Sequence, residues 1–270
     1  MANTISIYNF KGGVGKTTTA LNLGISWAKS FKVLLIDFDP QCNLTNSIGP
    51  EKSDYPSVYD YLRKVMHDHE ISPEPEVINP YLHLIPGDLQ MTQIESNNQF
   101  ISFGREMVGK LLMHFRRDYD FIIMDCPTNF GVLVKSIIGA SKNILVPAIA
   151  DNFSMTGVKT LMTYLAAVEN HSLNILGVYF NMFNDNLNLT SKKFEEAKDL
   201  FGSLILENTV SRSIKVGEAN DAGEAIEDYS PDNHAAQDFM KLSDELLAKF
   251  NSQTLNPDFV LPDLLERMKR

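Results

Sequence analysis

The chain lacks several features that mark whole classes of protein. It has only two cysteines, Cys42 and Cys126, without metal-site spacing, so we expect a reducing cytoplasm as its setting. It has no basic excess: the formal net charge of -10 argues against a protein that coats nucleic acid with its whole surface. It has no secretory leader pattern, and no uncharged run approaches the roughly 20 residues that span a bilayer. We therefore predict a cytoplasmic protein, in which any contact with DNA comes from a local patch.

A linker rich in Pro, Gly or Ser is absent as well, and so are internal repeats. With 44% hydrophobic and 21% charged residues, the composition is that of an ordinary globular chain. We predict one domain over residues 1–250. A C-terminal tail follows, residues 251–270, whose apolar and basic residues could form a short helix.

Short apolar runs alternate with longer segments of helical periodicity along the chain. The predicted strands are 4–9, 32–37, 82–86, 120–125, 143–147, 174–180 and 204–207. The predicted helices are 16–30, 57–67, 101–117, 130–141, 154–170, 190–201 and 231–250, the last capped by Ser230 with Pro231 in its first turn. Repeated β-α units predict a doubly wound α/β fold, with a mostly parallel sheet and helices on both faces.

A glycine-rich octet lies between the first predicted strand and the first predicted helix. It consists of Lys11, Gly12, Gly13, Val14, Gly15, Lys16, Thr17 and Thr18. Glycines let backbone N–H groups turn toward anionic oxygens, and the following helix points its positive end at them. Lys16 adds a mobile positive charge, and Thr17 is the expected Mg²⁺ ligand. The octet therefore predicts a phosphate-binding loop.

Acidic residues end two further predicted strands. Asp37 and Asp39 follow the apolar run that starts at residue 32, and Asp125 follows the run that starts at residue 120. In an extended chain alternate side chains point the same way, so Asp37 and Asp39 are suited to a shared task near Mg²⁺ and the γ-phosphate. Ligands collect beyond the carboxyl ends of parallel strands, which is where all three acids fall.

The loop departs from the common P-loop pattern in a way that suggests a family. Phe10 stands where that pattern requires glycine, and a second lysine, Lys11, follows it. The form x-K-G-G-x-G-K-T-T resembles the deviant Walker A family of P-loop ATPases, which includes ParA, MinD and the nitrogenase iron protein. Within that family, the segment from Asp37 to Thr45, of the form D-x-D-P-Q-x-N-x-T, resembles the ParA branch.

The resemblance implies a role for each motif, with ATP and Mg²⁺ as cofactors. Asp39 would orient or activate the attacking water, Asp37 would support the metal environment, and Asp125 would reach Mg²⁺ through a coordinated water. Lys11 would cross the interface of an ATP-bound homodimer and contact the phosphate of the other protomer. Asn181, at the end of a later strand, is the candidate for adenine recognition, since an amide can both donate to and accept from a base edge.

By the same resemblance, the chain is a cargo-positioning ATPase that segregates a plasmid, a chromosome or an intracellular assembly. Hydrolysis would be slow until a partner protein stimulates it, and the ATP dimer would bind nonspecific DNA, giving nucleoid association. Residues 190–270 hold ten Lys and Arg against sixteen Asp and Glu, so the DNA patch would have to be local. Its candidate members are Lys192, Lys193, Arg212 and Lys215.

Several departures from the family pattern keep other functions open. Ser211 stands where a proline is expected, Thr128 replaces a second proline after Asp125, and an arginine often found soon after Pro231 is absent. A MinD-like regulator that cycles on membranes through its C-terminal tail is the main alternative, although two acids and a proline weaken that helix. A metal-cluster carrier like the nitrogenase iron protein is disfavoured because the cysteines form no cluster pattern.

Overall fold

Seven strands form one sheet that carries the functional site at one edge. The computed structural model describes residues 1–50, 54–72, 74–167, 173–184 and 187–251. The strands are β1 (Asn3–Ile7), β2 (Val33–Asp37), β3 (Glu76–Asn79), β4 (Leu82–Ile85), β5 (Phe121–Asp125), β6 (Asn143–Ala148) and β7 (Asn174–Phe180). Their order is β3-β4-β2-β5-β1-β6-β7, and only the β3–β4 pair is antiparallel. The predicted mostly parallel sheet is confirmed.

Helices cover both faces of this sheet. They are α1 (Lys16–Trp27), α2 (Asn43–Ile48), α3 (Val58–Met66), α4 (Asn98–Phe115), α5 (Val132–Ala140), α6 (Asn152–Ala167), α7 (Asn188–Phe201), α8 (Ile214–Ala222), α9 (Ile226–Tyr229) and α10 (His234–Asn251). Alternate strand residues enter two separate cores: Leu34 and Ile36 pack with α3 to α7, whereas Val33 and Leu35 pack with α1 and α10. Strands β2 and β5 are therefore apolar at every position except the aspartate that ends each of them.

The predicted strand at 204–207 is wrong. Leu204 ends a single 3-10 turn, and Ile205 forms only an isolated bridge to Val178. The three apolar residues from Leu204 to Leu206 are buried, and a Cβ at Gly177 would lie 2.4 Å from the Leu206 side chain. The segment thus lies beside β7, where the Leu206 N–H donates to the Val178 carbonyl at 2.9 Å, but it pairs too briefly to form a strand. Its burial produced a strand-like apolar run.

Four of these strands and helices were not predicted, and helix α10 starts later than expected. Strand β3 and the short helices α2, α8 and α9 lie outside the strands and helices predicted above. Helix α10 begins at His234, and the Asn233 side chain accepts from the Ala235 N–H at this start. Ser230, the predicted cap, accepts from the Asn233 N–H through its backbone carbonyl, in a turn before the helix. The end of the predicted helix 154–170 and most of the predicted tail, residues 252–270, lie outside the described residues.

Over the part of the chain that the structure describes, none of the helices has both the length and the apolar character that crossing a bilayer requires.

Candidate functional site

The site forms where three neighbouring central strands end. The register pairs Asp125, the last residue of β5, with Asp37 at the end of β2 on one side and with Ile7 at the end of β1 on the other. The glycine-rich loop follows β1 directly. Parallel strands thus bring the loop and both acids to one edge of the sheet, as the sequence predicted.

Two glycines of the loop have a backbone that other residues rarely adopt. Gly13 and Gly15 have φ values of 71° and 95°, and a Cβ at Gly15 would lie 2.1 Å from Nδ2 of Asn181. Helix α1 starts at Lys16, and the N–H groups of its first turn have no partner within the helix. The N-cap residue, Gly15, provides no side-chain hydrogen bond for them either. The loop therefore presents an array of free donors to an anion.

Lys16, Thr17 and Asp125 form the charged centre beneath the loop. Lys16 is 7% exposed, and burial lowers the pKa of its ammonium group, an effect that Asp125 opposes. Thr17 Oγ1 donates to Asp125 Oδ2 at 2.6 Å, whereas Oδ1 of Asp125 is buried without a partner among the described residues. Burial is the main cause that raises the pKa of Asp125 well above its usual range, and repulsion from Asp37 is the second. A buried carboxylate in this state is stabilised by a cation.

These residues fit a magnesium ion. The hydroxyl of Thr17 and the free oxygen of Asp125 are the hard oxygen ligands that Mg²⁺ prefers. Among the described residues, no group of three or more His, Cys, Asp and Glu side chains forms a metal site by itself. That agrees with Mg²⁺ chemistry, because this ion usually takes one or two protein ligands together with phosphates and water.

Asp37 is held differently from Asp125. Its Oδ1 accepts from the Asp39 N–H at 3.1 Å, and its Oδ2 accepts from the N–H and the hydroxyl of Thr45 at 2.9 and 2.7 Å. Burial nevertheless raises the pKa of Asp37 to about 6. Because both oxygens already accept from the protein, this carboxylate is better placed to hold water around a metal than to bind the metal directly.

Asp39 is half-buried and lies near the same centre. Its Oδ1 accepts from the Gln41 N–H at 2.9 Å. Its charge contributes to the pKa shifts of Lys16 and Asp125, so the carboxylate is close to both groups. The two strand-end acids and Asp39 thus surround the place where phosphates would meet the loop.

The side chain of Lys11 has a partner in its own chain that the sequence did not reveal. Its backbone N–H donates to Oδ1 of Asn9 at 3.0 Å, and its Nζ forms an ion pair with Asp151, directly before α6. Burial alone would raise the pKa of Asp151, but the hydrogen bonds from Lys11, Ser154 and Phe153 and the charge of Lys11 together lower it. The only sequence signal for Asp151 was its place after a predicted strand.

Asn181 braces the loop from the end of β7. Its Nδ2 donates to the carbonyl of Val14 at 2.8 Å, and its Oδ1 accepts from the Met182 N–H at 2.9 Å. A contact with a base would have to use the second hydrogen of Nδ2 or the second lone pair of Oδ1. The role of Asn181 in adenine recognition therefore stays a prediction.

A cavity of about 530 Å³ opens directly beyond β7, and sequence reasoning did not find it. Its lining is mostly polar and consists of Phe183, Asn184, Ser211, Arg212, Ser213, Asn233, His234 and Asp238. Asp238 fixes the wall by accepting from the N–H and hydroxyl of Ser211 at 3.0 and 2.6 Å. The cavity lies at the same edge of the sheet as the loop.

The basic residues considered for DNA binding lie on separate elements. Lys192 and Lys193 are on α7, Lys215 is on α8, and Arg212 lines the cavity. Lys193 pairs with Glu196 at 2.6 Å and Lys215 with Glu218 at 2.5 Å, each on its own helix.

Together, the glycine loop at a helix start and the acids at neighbouring strand ends define a class, the P-loop nucleotide-binding proteins. A family model described as "AAA domain" matches residues 2–178. The "Chromosome-partitioning ATPase Soj" of Treponema pallidum is 31% identical over 256 residues, which cover 92% of this chain and 98% of the relative. The chain belongs to the ParA/MinD family of P-loop ATPases, as its loop motif predicted.

Solved structures have the same fold. An ATP complex of a McdA variant from Cyanothece has a TM-score of 0.77 and 24% identity, covering 92% of this chain and 96% of its own. The septum site-determining protein MinD from Pyrococcus horikoshii, solved with Mg-ADP, has a TM-score of 0.73 and 23% identity, covering 93% of this chain and 98% of its own.

Proposed function

We propose that this protein is an ATPase that dimerises when it binds ATP and positions or segregates a cargo. The observation that carries the proposal is the charged centre at the strand ends. There a buried carboxylate with an unpartnered oxygen, Asp125, lies against Thr17 and Lys16 beneath a loop of free N–H donors. This combination suits a nucleotide triphosphate with its magnesium ion.

In this proposal each group has a distinct part in binding ATP. The N–H groups of the loop and Lys16 bind the phosphates, and the cavity beyond β7 receives the base. Thr17 and Asp125 hold Mg²⁺, which neutralises charge on the phosphates. Complexes of family members with ATP and with Mg-ADP support this assignment.

Hydrolysis would depend on Asp39 and Lys11. In-line attack by water requires an oriented nucleophile and neutralised phosphate charge, and not a covalent catalyst. Asp39 would orient the water, with Asp37 beside it. Lys11 would leave Asp151 and reach the phosphate of the other protomer, so that dimerisation and nucleotide sensing become one event.

Two variants test the assignment. Asp39→Ala should bind ATP and accumulate dimer while losing turnover, and full hydrolysis by this variant would remove Asp39 from the catalytic role. Lys11→Ala should impair ATP-dependent dimerisation more than binding of nucleotide to the monomer. Dimerisation unchanged in analytical ultracentrifugation would rule out the contact across the interface.

The surface on which the dimer acts is proposed to be nonspecific DNA, in the cytoplasm at the nucleoid, with a partner protein that stimulates hydrolysis. The relationship to a chromosome-partitioning ATPase supports this choice. Co-sedimentation with DNA or with liposomes, each with Mg·ATP and Mg·ADP, separates it from a MinD-like membrane cycle. DNA binding that occurs only with ATP and falls steeply with salt is the expected result.

A further inference from the structure

The geometry points to Thr45 as a positioning residue that holds Asp37, and through it Asp39, in place for hydrolysis. This inference rests on the proposed ATPase function. Thr45 lies in α2, eight residues after Asp37, and both its N–H and its hydroxyl donate to the same carboxylate oxygen, at 2.9 and 2.7 Å. Two donors on one oxygen fix the orientation of the Asp37 carboxylate more firmly than one donor would.

The direction of each hydrogen bond at the Thr45 hydroxyl is determined by its neighbours. An ionised carboxylate can only accept, so the hydroxyl proton points to Asp37. The N–H of Gly87 can only donate, and it lies 2.8 Å from the same hydroxyl oxygen. Thr45 therefore links the end of β2 to the loop after β4 through one group that donates and accepts at once.

That loop lies tightly against the carboxylate. A Cβ at Gly87 would lie 3.0 Å from Cγ of Asp37 and 3.2 Å from Sγ of Cys42. Close packing of this kind leaves the loop little freedom while the hydrogen bond from Gly87 to Thr45 persists. Without the hydroxyl, the Gly87 N–H would need another acceptor, and the loop could withdraw.

The effect on catalysis would pass from Asp37 to Asp39. The N–H of Asp39 donates to the other oxygen of Asp37 at 3.1 Å, so the backbone that carries the catalytic candidate is tied to the orientation of Asp37. Thr45 would therefore act through Asp37 rather than by touching the phosphates. Its removal should slow turnover and leave ATP binding nearly unchanged.

Thr45→Val and Thr45→Ser form a matched pair, since valine keeps the shape and loses the hydroxyl, whereas serine keeps the hydroxyl and loses the methyl. In the full-length protein, Thr45→Val should lower kcat about tenfold, as loss of a hydrogen bond to a charged group predicts, with KM for ATP within about twofold. Thr45→Ser should restore kcat. Should Thr45→Val fail to fold, Thr45→Ala replaces it.

Amide hydrogen exchange of the nucleotide-free protein provides a second measurement. The Gly87 N–H should exchange faster in Thr45→Val than in the wild type, and Thr45→Ser should match the wild type. Unchanged kcat in Thr45→Val, or an equal loss in Thr45→Ser, would overturn the inference. A wild-type protein without ATPase activity would instead refute the proposed function. Exchange at Gly87 that is equal in Thr45→Val and the wild type would overturn the link from Thr45 to the loop after β4, whether or not the protein hydrolyses ATP.

Discussion

Replacing Asp151 with asparagine should strengthen the ATP-bound dimer. In this structure Asp151 holds the ammonium group of Lys11, which the proposed dimer needs for the phosphate of the other protomer. Asparagine removes the charge but retains the side-chain oxygen that accepts from the Ser154 N–H at 2.7 Å, so the start of α6 keeps its hydrogen bond. The substitution therefore releases Lys11 without removing the cap.

The size of the effect follows from the exposure of the ion pair. The two side chains are 29% and 41% exposed, so solvent screens their attraction, and an exposed pair contributes only about 0.2–1 kcal/mol. A symmetric dimer has to break two such pairs, which gives about 0.4–2 kcal/mol. Because about 1.4 kcal/mol corresponds to a factor of ten, the dissociation constant of the dimer should fall about 2- to 30-fold.

The dissociation constant can be measured by sedimentation velocity with Mg·ATP, in an Asp39→Ala background, in which turnover is expected to be lost. Asp228→Asn is the matched control, because it removes a charge from an ion pair with Lys29, beyond the far end of α1. The difference between Asp151→Asn and its parent should shrink in 1 M salt, where charges are screened.

An unchanged dissociation constant would show that the pair between Lys11 and Asp151 does not oppose dimerisation. A weaker dimer would go further and assign Asp151 a stabilising contact of its own in the interface. In either case the proposed release of Lys11 would be refuted.

Three further predictions concern the loop, the buried acids and a helix end. Gly15→Ala should abolish nucleotide binding in calorimetry, because its Cβ would lie 2.1 Å from the Asn181 side chain. The Cβ of Gly13→Ala meets no atom within 4 Å, so this variant should mainly lose stability through backbone strain of about 1–3 kcal/mol. Binding retained by Gly15→Ala would contradict this. Asp37 has a pKa raised to about 6 by burial, so the native state binds its proton more tightly than the unfolded chain, and ionisation costs stability as pH rises from about 4 to 6. In urea unfolding without Mg²⁺, the free energy of unfolding of Asp37→Asn should therefore rise relative to that of the wild type by on the order of 1 kcal/mol between pH 5 and pH 7. A difference between the two proteins that does not change with pH would refute the cost of burying this charge. Glu95 accepts from the Val132 N–H at 2.8 Å at the start of α5, so Glu95→Gln should cost about 0.3–1 kcal/mol of stability, measured as a lower melting temperature, and an unchanged value would show that its charge is immaterial there.

The elements that sequence reasoning identified are those whose burial is continuous. Strands β2 and β5 are buried at every residue, and the sequence showed them as apolar runs that end in acids. Strand β3 was missed because it is an edge strand with alternating exposure and polar ends, Glu76 and Asn79. The segment at 204–207 shows the reverse error, because its apolar residues are buried beside β7 but pair with that strand only through an isolated bridge.

Side chains near the site also fall into those that the local sequence places and those that contacts with distant residues place. The place of Gly15, Lys16 and Thr17 at the end of a loop and the start of a helix could be predicted from their order, because a strand, a glycine loop and a helix start set their geometry within a few residues. The contacts that distant residues make with the loop could not be predicted. Asn181 reaches the loop from 167 residues away, and the partner of Lys11 is 140 residues away.

The sequence by itself determined that this chain forms a phosphate loop with acids at neighbouring strand ends, because local backbone preferences and apolar runs fix those features. Only the tertiary structure decided that Asp125 keeps a free oxygen while Asp37 does not, and that Lys11 is held by Asp151. Those differences depend on which strands are neighbours and on how later loops pack against them. The physical reason is that hydrogen bonds and ion pairs between distant residues follow from strand order and register, which no short stretch of sequence specifies.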